Sequence, residues 1–205
     1  MLQCIPTEAV PVADPSGPGP VRLVSVGRLH WKKGHHHVLA AVARLRDDGV
    51  AATLRIVGDG PDGASLRSLA ESLGIGSRVT WHGSASHADL PALYAAAHLV
   101  AVPSVIDEAG DRDGLPNVLL EALACERPVV ASRAGAIESA IVDGATGLLV
   151  PPGDAGALAA AIETVAGRTD LARAVARGGR EVVERRYDVT ACARRFAETL
   201  EVAYD

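Results

Sequence analysis

Aromatic side chains are scarce in this chain of 205 residues: two Trp, three Tyr and one Phe make up 3% of it. Single-stranded nucleic acid is held by bases stacked on aromatic faces along a basic groove. Here the faces are missing, and 20 Lys+Arg against 25 Asp+Glu give a formal charge of −5. Nucleic acid is therefore not an expected partner. Cysteine is equally sparse. Cys4, Cys125 and Cys192 lie far apart without a C-x-x-C spacing, which excludes a disulfide framework or a zinc site and fits inert thiols in a reducing compartment. No apolar run approaches the roughly 20 residues that span a bilayer. The first ten residues contain Pro6 and Glu8 where a secretory leader needs a basic and then an apolar stretch. The expected location is the cytoplasm.

What is present is aliphatic. Apolar residues account for 48% of the chain, and a compact fold of this length buries about 70–75% of its unfolded surface without staples. Residues 11–20 (PVADPSGPGP) are too rich in Pro and Gly for a helix or central strand and read as a linker or arm, with the folded domain over 21–205. Short β-branched runs at 21–26, 53–57, 79–82, 99–102, 128–132 and 147–150 predict six strands, each buried on both faces. Patterns with apolar positions three and four residues apart predict helices at 35–47, 62–73, 88–97, 116–124 and 136–142, followed by a helical tail at 154–166, 170–187 and 189–204. Strand and helix in alternation imply right-handed crossovers, hence a doubly wound, Rossmann-like six-stranded parallel sheet with helices on both faces. Such sheets bind ligands outside the carboxyl ends of their strands, at the point where the strand order reverses.

The loop after the first strand reads Gly27-Arg28-Leu29-His30-Trp31-Lys32-Lys33-Gly34. A dinucleotide fingerprint needs three spaced glycines; here one glycine is followed by two cations five residues apart. Arg28 can grip two phosphate oxygens with its planar fork and Lys33 can add a compact ammonium, a pairing suited to a pyrophosphate. The plainer alternative is a pair of solvated surface cations. The second signal is Asp113-Gly114-Leu115-Pro116-Asn117 running to Glu121. Pro116 suits the first turn of a helix, and the free amides around Gly114, Leu115 and Asn117 would make a positive terminus for an anion. Asp113 precedes that helix and Glu121 sits inside it, so the two acids are separated by roughly 10 Å at ~1.5 Å per residue. That span matches the two sugar rings of a nucleoside diphosphate sugar with its pyrophosphate between them. Alternatively Asp113 merely complements the helix dipole and Glu121 is solvated. Against this, Leu119, Leu120 and Leu123 make Glu121 an acid on a largely apolar helix, which is unusual without a partner.

The order Gly27-Arg28 with Lys33-Gly34, Gly58-Asp59-Gly60-Pro61, Trp81-His82-Gly83, Pro103-Ser104, Asp113-Gly114-Leu115-Pro116 with Glu121-Ala122, and Gly147-Leu148-Leu149-Val150-Pro151-Pro152-Gly153-Asp154 resembles the carboxyl-terminal half of a GT-B glycosyltransferase of family 4. Within that family it is most similar to colanic-acid and exopolysaccharide biosynthesis enzymes, from about Val21 to the end. The resemblance implies one half of a GT-B fold, and a retaining hexosyltransferase with a nucleoside-diphosphate sugar as donor and neither cofactor nor metal. Arg28 and Lys33 would bind the donor diphosphate and stabilise the leaving nucleotide, Asp113 would contact the transferred sugar, and Glu121 would bind the ribose. Gly27, His82, Gly83, Gly114, Leu115 and Pro116 would line the donor site, with backbone near His82 to Ala85 beside the base. The family usually has glutamate where this chain has Asp113, and Ile-Pro-Glu where this chain has Ile137-Glu138-Ser139. An amino-terminal GT-B domain, which residues 1–20 cannot build, and a glycan or lipid-linked acceptor are the implied partners, and the resemblance leaves room for peripheral association of the complete enzyme with the inner face of the membrane. Alone, the chain is expected to bind donor but to transfer slowly or not at all.

Other features point less far. Consecutive helical positions diverge by about 100°, so His35, His36 and His37 cannot chelate one ion together. Asp59, followed at once by Gly60-Pro61, reads as a turn residue rather than a ribose-binding acid. Trp31 either shields the phosphate loop or caps the core. A nucleotide-sugar epimerase shares the two-domain architecture but needs acid and base residues not evident here, and a stand-alone nucleotide-sugar-binding module is the third reading.

Overall fold

The computed structural model describes residues 19–106, 114–194 and 197. Among them are six strands, β1 (Val21–Val26), β2 (Ala52–Val57), β3 (Val79–Gly83), β4 (Leu99–Val102), β5 (Val129–Ser132) and β6 (Leu148–Val150). They form one sheet in the order β3-β2-β1-β4-β5-β6, and every pairing is parallel. The helices are α1 (His35–Asp47), α2 (Gly63–Ser72), α3 (Leu90–Ala95), α4 (Asn117–Ala124), α5 (Ala155–Gly167) and α6 (Thr169–Arg186). The doubly wound architecture read from the sequence is the one observed.

Period-two alternation sorts the sheet's side chains into two cores. Leu23, Leu54, Ile56 and Leu99 face α1, α2 and α5, where Val38, Leu39, Val42, Leu45, Leu158 and Ile162 meet them. Val24, Val57, Val100 and Val102 point the other way, toward Leu90, Leu93 and Tyr94 of α3 and Leu119, Leu120 and Leu123 of α4. Burial of one such side chain stabilises by about 1.5–3 kcal/mol. The sign change of the strand order falls between β1 and β4, so the loops after these two strands flank the crevice.

Three expectations need correction. The strands are not all buried on both faces: Thr53, Thr80 and His82 are exposed and Arg55 half-exposed. The reason is that β3 ends the sheet and α3 spans only six residues, leaving an open groove of about 210 Å³ along Arg22, Thr53, Arg55 and Thr80. The helix expected over 136–142 is a single 3-10 turn, Ile137–Ser139. Thr146 Oγ1 accepts from Val142 N at 2.7 Å and donates to Ala140 O at 3.3 Å, diverting those backbone groups into a turn. Pro116 is the residue before α4 rather than in its first turn, with φ −67 and an extended ψ of 129.

Helix α6 is packed into the fold. Its Val175, Ala176, Gly179 and Val183 are buried, and a Cβ on Gly179 would meet Leu123 Cδ2 of α4 at 2.5 Å. After a break at Tyr187 and Asp188, residues 189–194 are helical again; residues 1–18, 195–196 and 198–205 of the expected arm and tail lie outside the described residues. No helix among the described residues is long and apolar enough to cross a membrane.

Candidate donor site

The loops at the carboxyl ends of the strands are laced together through their backbones. Gly27 N donates to Val57 O at 2.9 Å, Gly58 N to Gly83 O at 2.7 Å, Leu29 N to Asp59 O at 2.9 Å and Val105 N to Lys32 O at 3.0 Å. Two glycines make this approach possible. A Cβ on Gly58 would stand 1.9 Å from Gly27 O, and one on Gly34, whose φ is +67, would stand 1.8 Å from Pro103 O. The loop after β1 is thereby pressed against the segment after β4, where the strand order reverses.

On this loop Arg28 is exposed and makes no side-chain hydrogen bond or ion pair among the described residues. Lys33 is half-buried, its Cγ and Cδ lying 3.6 and 3.7 Å from where a Gly27 Cβ would be. Beneath them His35 is fully buried. Its Nδ1 is 3.1 Å from Ser25 Oγ of β1, and burial lowers its pKa to about 4 against the pull of the Arg28 and Gly27 backbone. The imidazole is therefore a neutral strut under the loop. His36 and His37 follow with rings 4.0 Å apart but in different surroundings, His36 in the field of Asp62 and His37 beside Gly153.

Across the crevice, Gly114 is exposed, Leu115 half-buried and Pro116 buried. No cap hydrogen bond comes from the Pro116 side chain, and Leu119 N donates to Pro116 O at 3.1 Å, closing the first turn of α4. Asp113 lies outside the described residues. Glu121 is where the structure adds most. Its side chain is 17% exposed, with Oε1 3.6 Å from Nδ1 of His87, and Oε2 accepts a 2.9 Å hydrogen bond from the Tyr94 hydroxyl. Burial, and secondarily the Glu121 charge, hold the Tyr94 phenol well above its ordinary range. Sequence reasoning found Glu121 but neither Tyr94 nor His87. The available signal was a polar aromatic in a short apolar helix, which must find a partner when buried.

The remaining positions fall as follows. His82 is exposed at the end of β3, and Gly83 follows with φ +77. Asp59 Oδ1 accepts from Gly60 N at 2.7 Å, a turn residue as expected. Trp31 is 39% exposed and its side chain is not core. Cys125 and Cys192 are buried, and burial pushes the Cys125 thiol up to about 12, which suits an inert residue. Cys4 lies outside the described residues.

The crevice at the reversal point thus carries two cations on one lip and the start of α4 with a carboxylate on the other, and the chain that builds it is similar to a known group of proteins. The sequence profile described as Glycosyl transferases group 1 matches residues 20–168. The chain belongs to that family. It is 33% identical over 192 residues to the putative colanic acid biosynthesis glycosyltransferase WcaL of Escherichia coli, covering 93% of this chain and 47% of that protein. Among solved structures, HepE of Anabaena in complex with UDP superposes with a TM-score of 0.80 at 30% identity, over 89% of this chain and 49% of that one. Sucrose-phosphate synthase from Thermosynechococcus elongatus gives 0.82 at 32% identity, over 98% and 51%. The chain spans about half the length of the curated relatives it matches. It is a GT-B glycosyltransferase domain, related to enzymes of exopolysaccharide biosynthesis.

Proposed function

We propose that this domain binds a nucleoside-diphosphate sugar as the donor half of a retaining family 4 glycosyltransferase, which works in the cytoplasm with an amino-terminal domain and passes a hexose to a glycan or lipid-linked acceptor. One observation carries this reading: the Gly34–Pro103 and Lys32–Val105 backbone contacts bring the loop bearing Arg28 and Lys33 to the segment leading into α4, at the sheet's reversal point. In this assignment Arg28, Lys33 and the α4 terminus meet the charge that grows on the departing diphosphate, without a metal ion. Asp113 contacts the transferred sugar, Glu121 accepts from the ribose, and backbone at His82 and Gly83 borders the base. Gly27, Gly114, Leu115 and Pro116 supply close backbone approach to the phosphates and sugar. UDP is the first probe because HepE has been solved with it. Calorimetry of the 205-residue chain with UDP, GDP and ADP is expected to show saturable heat for at least one nucleotide and no sugar transfer without an amino-terminal domain. Absence of heat with all three would overturn the reading.

A further inference from the structure

The two carboxylate oxygens of Glu121 have unequal surroundings. Oε2 is tied to the hydroxyl of Tyr94 at 2.9 Å, and Tyr94 is fully buried on α3. Oε1 lies 3.6 Å from Nδ1 of His87, whose side chain is 89% exposed. Turning the carboxylate would strand a phenolic O–H in the core, where an unsatisfied donor is far costlier than one in water. The carboxylate thus has one oxygen held inward by Tyr94 and the other beside His87 of the loop after β3.

We propose that Tyr94 is a positioning residue that fixes Glu121 so that Oε1 faces the vicinal hydroxyls of a ribose, and that this pairing sets the site's preference for ribonucleoside over dideoxyribonucleoside diphosphates. The proposal rests on Glu121 being the ribose acceptor in the reading above. It assigns to α3, which carries no cation and touches no phosphate in that reading, a part in choosing the ligand. Because the O–H···O⁻ bond is charge-assisted, its loss should be felt as a loss of order at the acceptor rather than of charge.

The test measures binding of UDP and of 2′,3′-dideoxy-UDP to the full chain by calorimetry. The wild-type chain is expected to prefer UDP by about tenfold or more, the scale of hydrogen bonds to a charged acceptor. Tyr94→Phe is expected to lose most of that preference through weaker UDP binding, its affinity for the dideoxy analogue staying within about twofold. Glu121→Gln should abolish the preference, and adding Tyr94→Phe to it should change nothing further. Equal losses for both nucleotides in Tyr94→Phe, or an unaltered preference, overturn the proposal. Should Tyr94→Phe not fold, 3-fluorotyrosine at position 94 keeps the ring while altering the hydroxyl's acidity. A shift in preference then supports the proposal and an unchanged one overturns it. Heat with UDP but no wild-type preference overturns this inference and the ribose role of Glu121 while leaving the diphosphate-binding reading standing; no heat with UDP, GDP or ADP overturns the donor-site reading and this inference together.

Discussion

The two lips of the crevice are built on different principles. On the β1 side it is the backbone that is held: glycine contacts and the buried His35 support the loop, while Arg28 is exposed on it and Lys33 half-buried. On the β4 side the working side chain is itself fixed, since Glu121 is anchored through a hydrogen bond to the buried Tyr94. The difference suits the groups that each lip would hold. In the proposed reading a diphosphate whose charge grows during bond cleavage is met by an exposed guanidinium on a firm base. A ribose keeps its geometry throughout, and a fixed acceptor selects it.

The comparison breaks most readily at the backbone of the first lip. In Gly34→Ala the new methyl would have to displace Pro103 O while the residue keeps φ +67. The expected cost is on the order of 3–5 kcal/mol, read as a large fall in the denaturation midpoint; a midpoint equal to wild type would show that the lip is not held by this contact. Next in size is His35. Its pKa is about 4 when folded against 6.5 for an ordinary imidazole, so the unfolded chain binds the extra proton more tightly. Stability from this group is complete above pH 6.5, declines as pH falls from there toward 4, and is level below. The loss approaches about 3 kcal/mol, and a denaturant series between pH 7 and 4 is expected to lose that slope in His35→Gln. The smallest effect on the fold, and the sharpest on the ligand, belongs to Arg28→Ala. Binding of UDP should weaken by roughly thirtyfold, about 2 kcal/mol, while unfolding free energy stays within about 0.5 kcal/mol because the side chain is exposed.

Much of the fold could be read before any coordinates. All six strands stand within one or two residues of their β-branched runs, because short runs rich in Val, Leu and Ile between turn signals have few other places to go. The exposure of β3 is not legible in the sequence because its alternation, Val79 and Trp81 against Thr80 and His82, is masked by short length, and exposure depends on what α3 covers. The turn at Ile137–Ser139 is not legible locally because Thr146, seven residues beyond Ser139, takes part in deciding it. At the candidate site, loop position and motif order in the sequence single out Arg28, Lys33, Gly114 and Glu121 as candidates. Tyr94 could not be paired with Glu121, since 27 residues separate them and periodicity carries no information over that distance.

By itself the sequence determined the alternation of strand and helix, the positions of the charged groups in the loops, and the family to which they point, because each follows from local pattern and spacing. Tertiary structure alone decided which loops touch. It put Gly34 against Pro103 and Tyr94 beneath Glu121, contacts set by strand order and close packing. Such contacts cannot be computed from neighbouring residues, since they arise only when distant segments are brought together by burying the same sheet.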